Sequence, residues 1–279
     1  MNIGEIVKDS VNYPITDWKK ILILGVIIVF TGISSVNLLL NTNNMVLISV
    51  LVVIDVTAGF LVNGYMFKIV KSSLDGKAGL PEFNNWIGMC TDGIKVFLVF
   101  IAYLIIPVAV LIFFALLSLG ETPPFVTLSV STMLGSIGMN PSDLFISIIW
   151  PGFLNFIVIL YDFFLPGGIF AIIYAIIIFP IFLVAIANMA YYKGEFSSAF
   201  KLGEIMDEIR SVGWNKLVVW YITTGIIFLI LYFMGVIVAY IFNSIYNIGL
   251  MIGLLLSLTL ISYIYMYIAR SVALFYMPE

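Results

Sequence analysis

Residues 196–216, FSSAFKLGEIMDEIRSVGWNK, space apolar and charged side chains with a helical period and lead straight into a long apolar run. Phe196, Phe200, Met206 and Ile209 can share one face of a helix, while Ser197, Lys201, Asp207, Glu208 and Arg210 occupy the other. A short one-sided helix joined to a spanning helix is expected to lie in the membrane interface with its apolar face toward the acyl chains; packing of that face on the protein itself is the alternative. The pattern recurs. Ile3-Gly4-Glu5-Ile6 matches Leu202-Gly203-Glu204-Ile205, and Trp18-Lys19-Lys20-Ile21 matches Trp214-Asn215-Lys216-Leu217. A looser copy, residues 83–95, FNNWIGMCTDGIK, carries Asp92-x-x-Lys95 in the place of Asp17-x-x-Lys20. Each copy ends in a lysine followed by an apolar run, so the spacing predicts helices over 3–12, 83–93 and 197–211 lying along the membrane plane.

The apolar runs are long enough to cross a bilayer, whose core of ~30 Å needs about 20 residues of helix. They cover 21–40, 45–67, 96–119, 169–190, 217–242 and 248–268, and one of them carries Asp55 inside it. The chain of 279 residues is 63% hydrophobic and 10% charged, with a mean hydropathy of +1.19. Soluble domains are about 25% charged. The expected fold is therefore all-α, a polytopic transmembrane helical bundle and a single transmembrane domain over 1–279. Asparagine-rich turns at 41–44 and 243–247 make the first and last pairs of runs antiparallel hairpins. Read this way, the chain is three parallel units of surface helix plus hairpin, 1–71, 81–193 and 196–275.

Residues 121–166 are harder to thread. The run 144–165 is apolar, but Trp150-Pro151-Gly152 breaks it and Pro166-Gly167-Gly168 ends it. An outward-facing, partly re-entrant insertion keeps the count at six spans; if both 125–138 and 144–165 cross, there are eight with the same sidedness. In either case all twelve basic residues fall on one side. The positive-inside rule makes that side the cytoplasm, places both termini there and makes the plasma membrane the expected location.

The weak net charge of -3 gives no reason to expect nucleic acid as a partner. No histidine and the single Cys90 leave no zinc pattern, no disulfide framework and no base for a serine nucleophile such as Ser35, Ser147 or Ser257. No metal or other cofactor, and no catalytic activity, is expected.

Asp55 is the one ionisable residue clearly inside a span, where a charge costs roughly 2.5–3.5 kcal/mol on insertion scales. It is either a proton or cation site or a clamp bonded to Asn63, Thr57 or Asn188. Tyr161-Asp162 resembles half of an intramembrane aspartyl protease site, with the other half missing. Trp18, Trp86 and Trp214 recur at the inner boundary as interfacial anchors. Gly225, Gly235, Gly249 and Gly253 are places for close helix approach.

Leu80-Pro81-Glu82-Phe83, Asn85-Trp86 and Asp92-Gly93-Ile94-Lys95, with Ala199-Phe200 to Glu204 and Gly213-Trp214-Asn215-Lys216, together resemble the archaeal membrane family known as domain of unknown function 4013. The resemblance covers nearly the whole chain and implies a plasma-membrane protein of a methanogenic archaeon, with no activity and no catalytic residues to carry over. The surface motif it marks is Pro81, Glu82, Asp92, Lys95, Glu204 and Lys216. The expected role is a scaffold, regulatory or lipid-organising protein working through its cytoplasmic helices, its partners the lipid bilayer and a membrane protein or a second copy. The alternative is a transporter or channel for a small solute, ion or lipid with Asp55 in its path.

Overall fold

The computed structural model describes residues 2–35, 44–118, 167–243 and 246–277, and among these there is no strand. The helices are α1 (Ile3–Asn12), α2 (Trp18–Phe30), α3 (Met45–Leu74), α4 (Trp86–Ser118), α5 (Gly167–Tyr191), α6 (Leu202–Val212), α7 (Trp214–Asn243), α8 (Tyr246–Leu256) and α9 (Ser262–Tyr276), with a π turn at Ser257–Ile261 between the last two. Four segments are long and apolar enough to cross a membrane: Met45–Leu74, Trp86–Val110, Trp214–Ile241 and Met251–Tyr276. This is a membrane protein. Within the described residues α2 is shorter, and the apolar part of α5 is Ile176–Tyr191. The insertion at 121–166, with Asp162 and Ser147, lies outside the described residues, as do residues 41–43 of the first asparagine turn and 244–245 of the second.

Local chemistry fixes where the helices start. Asp17 Oδ1 accepts from the Lys19 and Lys20 amides at 3.1 and 3.4 Å, and Asn44 Oδ1 from those of Val46 and Leu47 at 3.1 and 3.2 Å. Asn85, at φ 53, caps α4 by accepting from the Gly88 amide at 3.2 Å. Gly213, at φ 98, makes the corner between α6 and α7, a backbone that favours glycine.

At the centre α3, α5 and α9 touch one another. Around them α2 packs on α3 and on the π turn, α4 on α3 and α5, and α7 on α8 and α9, with Tyr221 of α7 reaching Phe179 of α5. The closest approaches are between backbones. A Cβ on Gly64 would run into the Met89 carbonyl, one on Gly93 into the Phe60 carbonyl, and one on Gly25 into the main chain of Leu258. Gly225 has open space instead, so it is not a contact glycine.

Burial is uneven along the helices. In α3 every buried residue lies from Ala58 onward, and in α5, among the residues whose burial is described, from Pro180 onward. The buried end is also the charged end.

The short helices differ from the expectation in two ways. α1 buries Ile6 and Ser10 against α9 and α7, and α6 buries Ile205 and Ile209, while Phe196, Phe200 and Leu202 stay exposed, so part of each apolar side packs on the protein. At 83–93 there is no separate helix: α4 begins at Trp86 and runs unbroken through Lys95. No proline stands between Trp86 and the apolar run, so the helix propagates through Gly88 and Gly93.

Candidate functional site at the charged end

Two connections, 75–85 and 192–201, the second with a 3-10 helix at Phe196–Phe200, leave main-chain carbonyls to which side chains from other helices donate. In the first, Lys20 Nζ donates to the Leu80 carbonyl at 2.7 Å and to Glu82 Oε1 at 2.8 Å. Lys68 Nζ donates to the Glu82 carbonyl at 2.7 Å and to Asn84 Oδ1 at 2.5 Å. Tyr65 OH donates to the Pro81 carbonyl at 3.0 Å, and its ring stacks on Phe83 at 3.9 Å. Charge-assisted bonds of this kind are about twice as strong as neutral ones, so the loop is held as a plate.

The second connection is built alike. Lys71 Nζ and Lys95 Nζ donate to the carbonyls of Lys193 and Gly194 at 3.3 and 2.9 Å, and Asp92 stands 3.7 Å from Lys95. Asn188, almost fully buried, donates to the Ser198 carbonyl at 2.8 Å and accepts from Tyr276 OH at 2.7 Å. Tyr103 OH donates to the Ala199 carbonyl at 2.9 Å. Glu204 pairs with Lys201 at 3.3 Å, and the Lys201 amine lies 4.5 Å from the Tyr192 ring centroid. The hydrogen bond to Glu204 holds the Lys201 ammonium above the ordinary lysine range.

A third tie joins distant parts of the sequence. Arg270 of α9, 6% exposed, donates from Nε and Nη2 to the two oxygens of Asp9 at 2.7 and 3.4 Å, and from Nη1 to the Lys77 carbonyl at 3.1 Å. Its guanidinium lies 4.7 Å from the Tyr13 ring centroid, and Tyr13 OH donates to the Gly79 carbonyl at 3.2 Å. Burial pushes the Tyr13 phenol above its ordinary range, the Arg270 charge pulling the other way. Tyr263 OH completes the clamp on α1 by donating to the Val11 carbonyl at 2.7 Å.

Asp55 stands apart, about 20 Å along α3 from Lys68 at 1.5 Å per residue. Its partner is Ser34, in the 3-10 turn Ile33–Ser35 that follows α2, whose hydroxyl bonds Asp55 Oδ2. The expected partners are engaged elsewhere: Asn63 donates to the Gly59 carbonyl, Thr57 to the Val53 carbonyl, and Asn188 belongs to the charged end. Asp55 faces a neighbouring helix and is half-buried. Asparagine keeps an acceptor for the Ser34 hydroxyl, so Asp55→Asn should leave the fold intact and change stability by less than about 1 kcal/mol. A thermal melt in detergent reads this; loss of the folded protein would show that the carboxyl itself is required.

Trp18, Trp86 and Trp214 are the first residues of α2, α4 and α7, and they are 59, 44 and 45% exposed. Among the described residues no group of three or more His, Cys, Asp or Glu is placed to hold a metal ion. The profile of a protein family described as "Protein of unknown function (DUF4013)" matches residues 47–240. The chain belongs to this family. No curated protein and no solved structure matches it. The DUF4013 segment starts in α3 and stops in α7, so it contains both carbonyl-bearing connections but neither Asp9, Lys20 nor Arg270. The resemblance read from the sequence is thus narrower than the whole chain.

Of the motif residues, Pro81, Glu82, Asp92, Lys95 and Glu204 all lie in these two connections or on the side chains that fasten them, and Lys216 sits half-buried in the first turn of α7. Sequence reading missed Ser34, Lys68, Lys71, Tyr276 and the Asp9–Arg270 pair. For Arg270 a signal existed: a cation just past the apolar run 248–268 and followed by further apolar residues calls for a partner.

Proposed function

We propose that the protein is a six-span protein of the cell membrane, its charged end and both α1 and α9 termini facing the cytoplasm, that works without catalysis as a scaffold, regulatory or lipid-organising element through that end. The observation that carries this reading is the apolar centre between Asp55 and the charged end. Ala58, Val62, Val184, Ala185, Ile264 and Met266 of the three central helices are all buried, an apolar layer among the described residues that supports no polar route from Asp55 to the loops. A set of cations already engaged with loop carbonyls suits a fixed docking surface better than a moving gate.

The three-unit organisation 1–71, 81–193 and 196–275 belongs to the same reading. Its support is that each unit's first long helix opens on an exposed tryptophan, and that the second long helices, α3, α5 and α9, are the ones in mutual contact. Orientation rests on the twelve basic residues, which gather at one end. Lys77→Cys and Lys201→Cys should resist a membrane-impermeant thiol reagent on sealed cells and react after permeabilisation. Labelling from outside would overturn the orientation.

A transporter with Asp55 in its path is the second reading, favoured by the Ser34–Asp55 bond inside the bundle. Reconstituted vesicles decide between them: no proton or ion flux above empty vesicles is expected, and flux abolished by Asp55→Asn would establish the transporter.

A further inference from the structure

The turn that ends α5 gathers more positive charge than it neutralises. Lys71 and Lys95 donate to the consecutive carbonyls of Lys193 and Gly194, and Lys193 projects its own exposed amine from the same turn. Opposite charge is thin. Asp92 is 3.7 Å from Lys95, and Glu195 is turned back onto Ser197 Oγ at 2.8 Å. Among the described residues neither Lys71 nor Lys193 has a carboxylate within 4.0 Å. An ammonium has three N–H donors, and a capping carbonyl takes one of them.

The presentation is fixed by the backbone. Lys193 at φ 56 and Gly194 at φ 88 form the turn, closed by the Gly194 amide donating to the Met189 carbonyl at 2.8 Å. Tyr191, Tyr192 and Phe196, next to the turn in sequence, are 56, 38 and 39% exposed. Stabilisation of the α5 C-terminal dipole accounts for the two carbonyl bonds, but not for the third amine or for the missing carboxylates.

We propose that Lys71, Lys95 and Lys193 form a seat for the phosphate headgroup of an anionic lipid, with Tyr191, Tyr192 and Phe196 against its glycerol and upper acyl region. The inference rests on the charged end lying at a membrane boundary, and it adds the lipid class and the position.

Native mass spectrometry of the detergent-purified protein, mixed with phosphatidylglycerol or phosphatidylcholine, reads the retained lipid. Lys71→Gln with Lys193→Gln should lower phosphatidylglycerol retention about tenfold or more and leave phosphatidylcholine unchanged. Lys8→Gln with Lys19→Gln removes equal charge elsewhere and should behave as the parent protein. Equal loss in that control, or no loss in the first variant, overturns the seat. If the first variant does not fold, Lys193→Gln alone, which keeps the main-chain carbonyl, should lose about threefold; unchanged retention there also overturns it. Inorganic phosphate should leave the lipid bound, and displacement by it would assign the seat to a soluble anion and refute the lipid. Sidedness in the cell does not enter this measurement, so the labelling and flux experiments can fail while the lipid result stands.

Discussion

Asp9→Ala should destabilise the protein more than Arg270→Met, although the arginine makes the larger number of bonds. The reason is where each charge is left. Asp9 keeps 40% of its side chain exposed and can be hydrated when its partner goes, whereas Arg270 keeps 8% and cannot. Removing the acid strands a cation in the bundle, which typically costs about 3–5 kcal/mol. Removing the base costs about 1–2 kcal/mol, the loss of charged hydrogen bonds to a carboxylate that water can serve, and Met fills much of the vacated volume. The double variant should sit well above the sum of the singles, because the stranded cation is gone. Unfolding in one detergent, followed for all four proteins, tests this. Arg270→Met as the worse single, or simple additivity, would mean that the clamp is held by packing and not by charge.

Gly64→Ala is the other change with a large expected effect, and Gly225→Ala is its counterpart. At Gly64 the added methyl has nowhere to go, since what it meets is the main chain of α4 at Met89, and Gly93 presses back on Phe60 from the other side. Two helices must separate along their whole contact. The cost should exceed about 3 kcal/mol, the upper end for ordinary overpacking, and the folded fraction should fall with it. At Gly225 the methyl meets nothing within 4 Å, and alanine is the better helix former by about 1 kcal/mol. That variant should therefore melt at the parent temperature or higher. Comparable losses at the two sites would show that backbone proximity is not what makes Gly64 necessary.

The long apolar helices were legible because hydrocarbon admits little else, and no neighbour is needed to read a run of that length. The short helices were half legible. The spacing of Ile205 and Ile209 marks a buried side, but the same spacing serves a lipid surface or a protein surface, and only the packing of α6 on the bundle decides between them. Residues 83–95 were misread because Lys95 looked like a boundary. Its long stem lets the amine reach the Gly194 carbonyl from inside a helix that had started at Trp86. The Asp55 partner was out of reach of sequence reasoning, because several polar residues were available and Ser34 becomes the nearest only once α2 and α3 are in register. Gly225 was misassigned as a close-contact glycine for the same reason: it and Gly64 look equivalent in a run of apolar residues, and facing geometry separates them.

The clamp between Asp9 and Arg270 joins residues 261 positions apart. During translation at ~5–20 residues per second, Asp9 waits roughly 10–50 s before its partner has been made. Through that interval α1 lacks α9, the larger part of its seat, and the Lys77 carbonyl lacks Arg270. A nascent chain is thus open at its charged end until α9 has been made, and nascent chains stopped short of α9 should leave α1 more open to a protease than the full chain does.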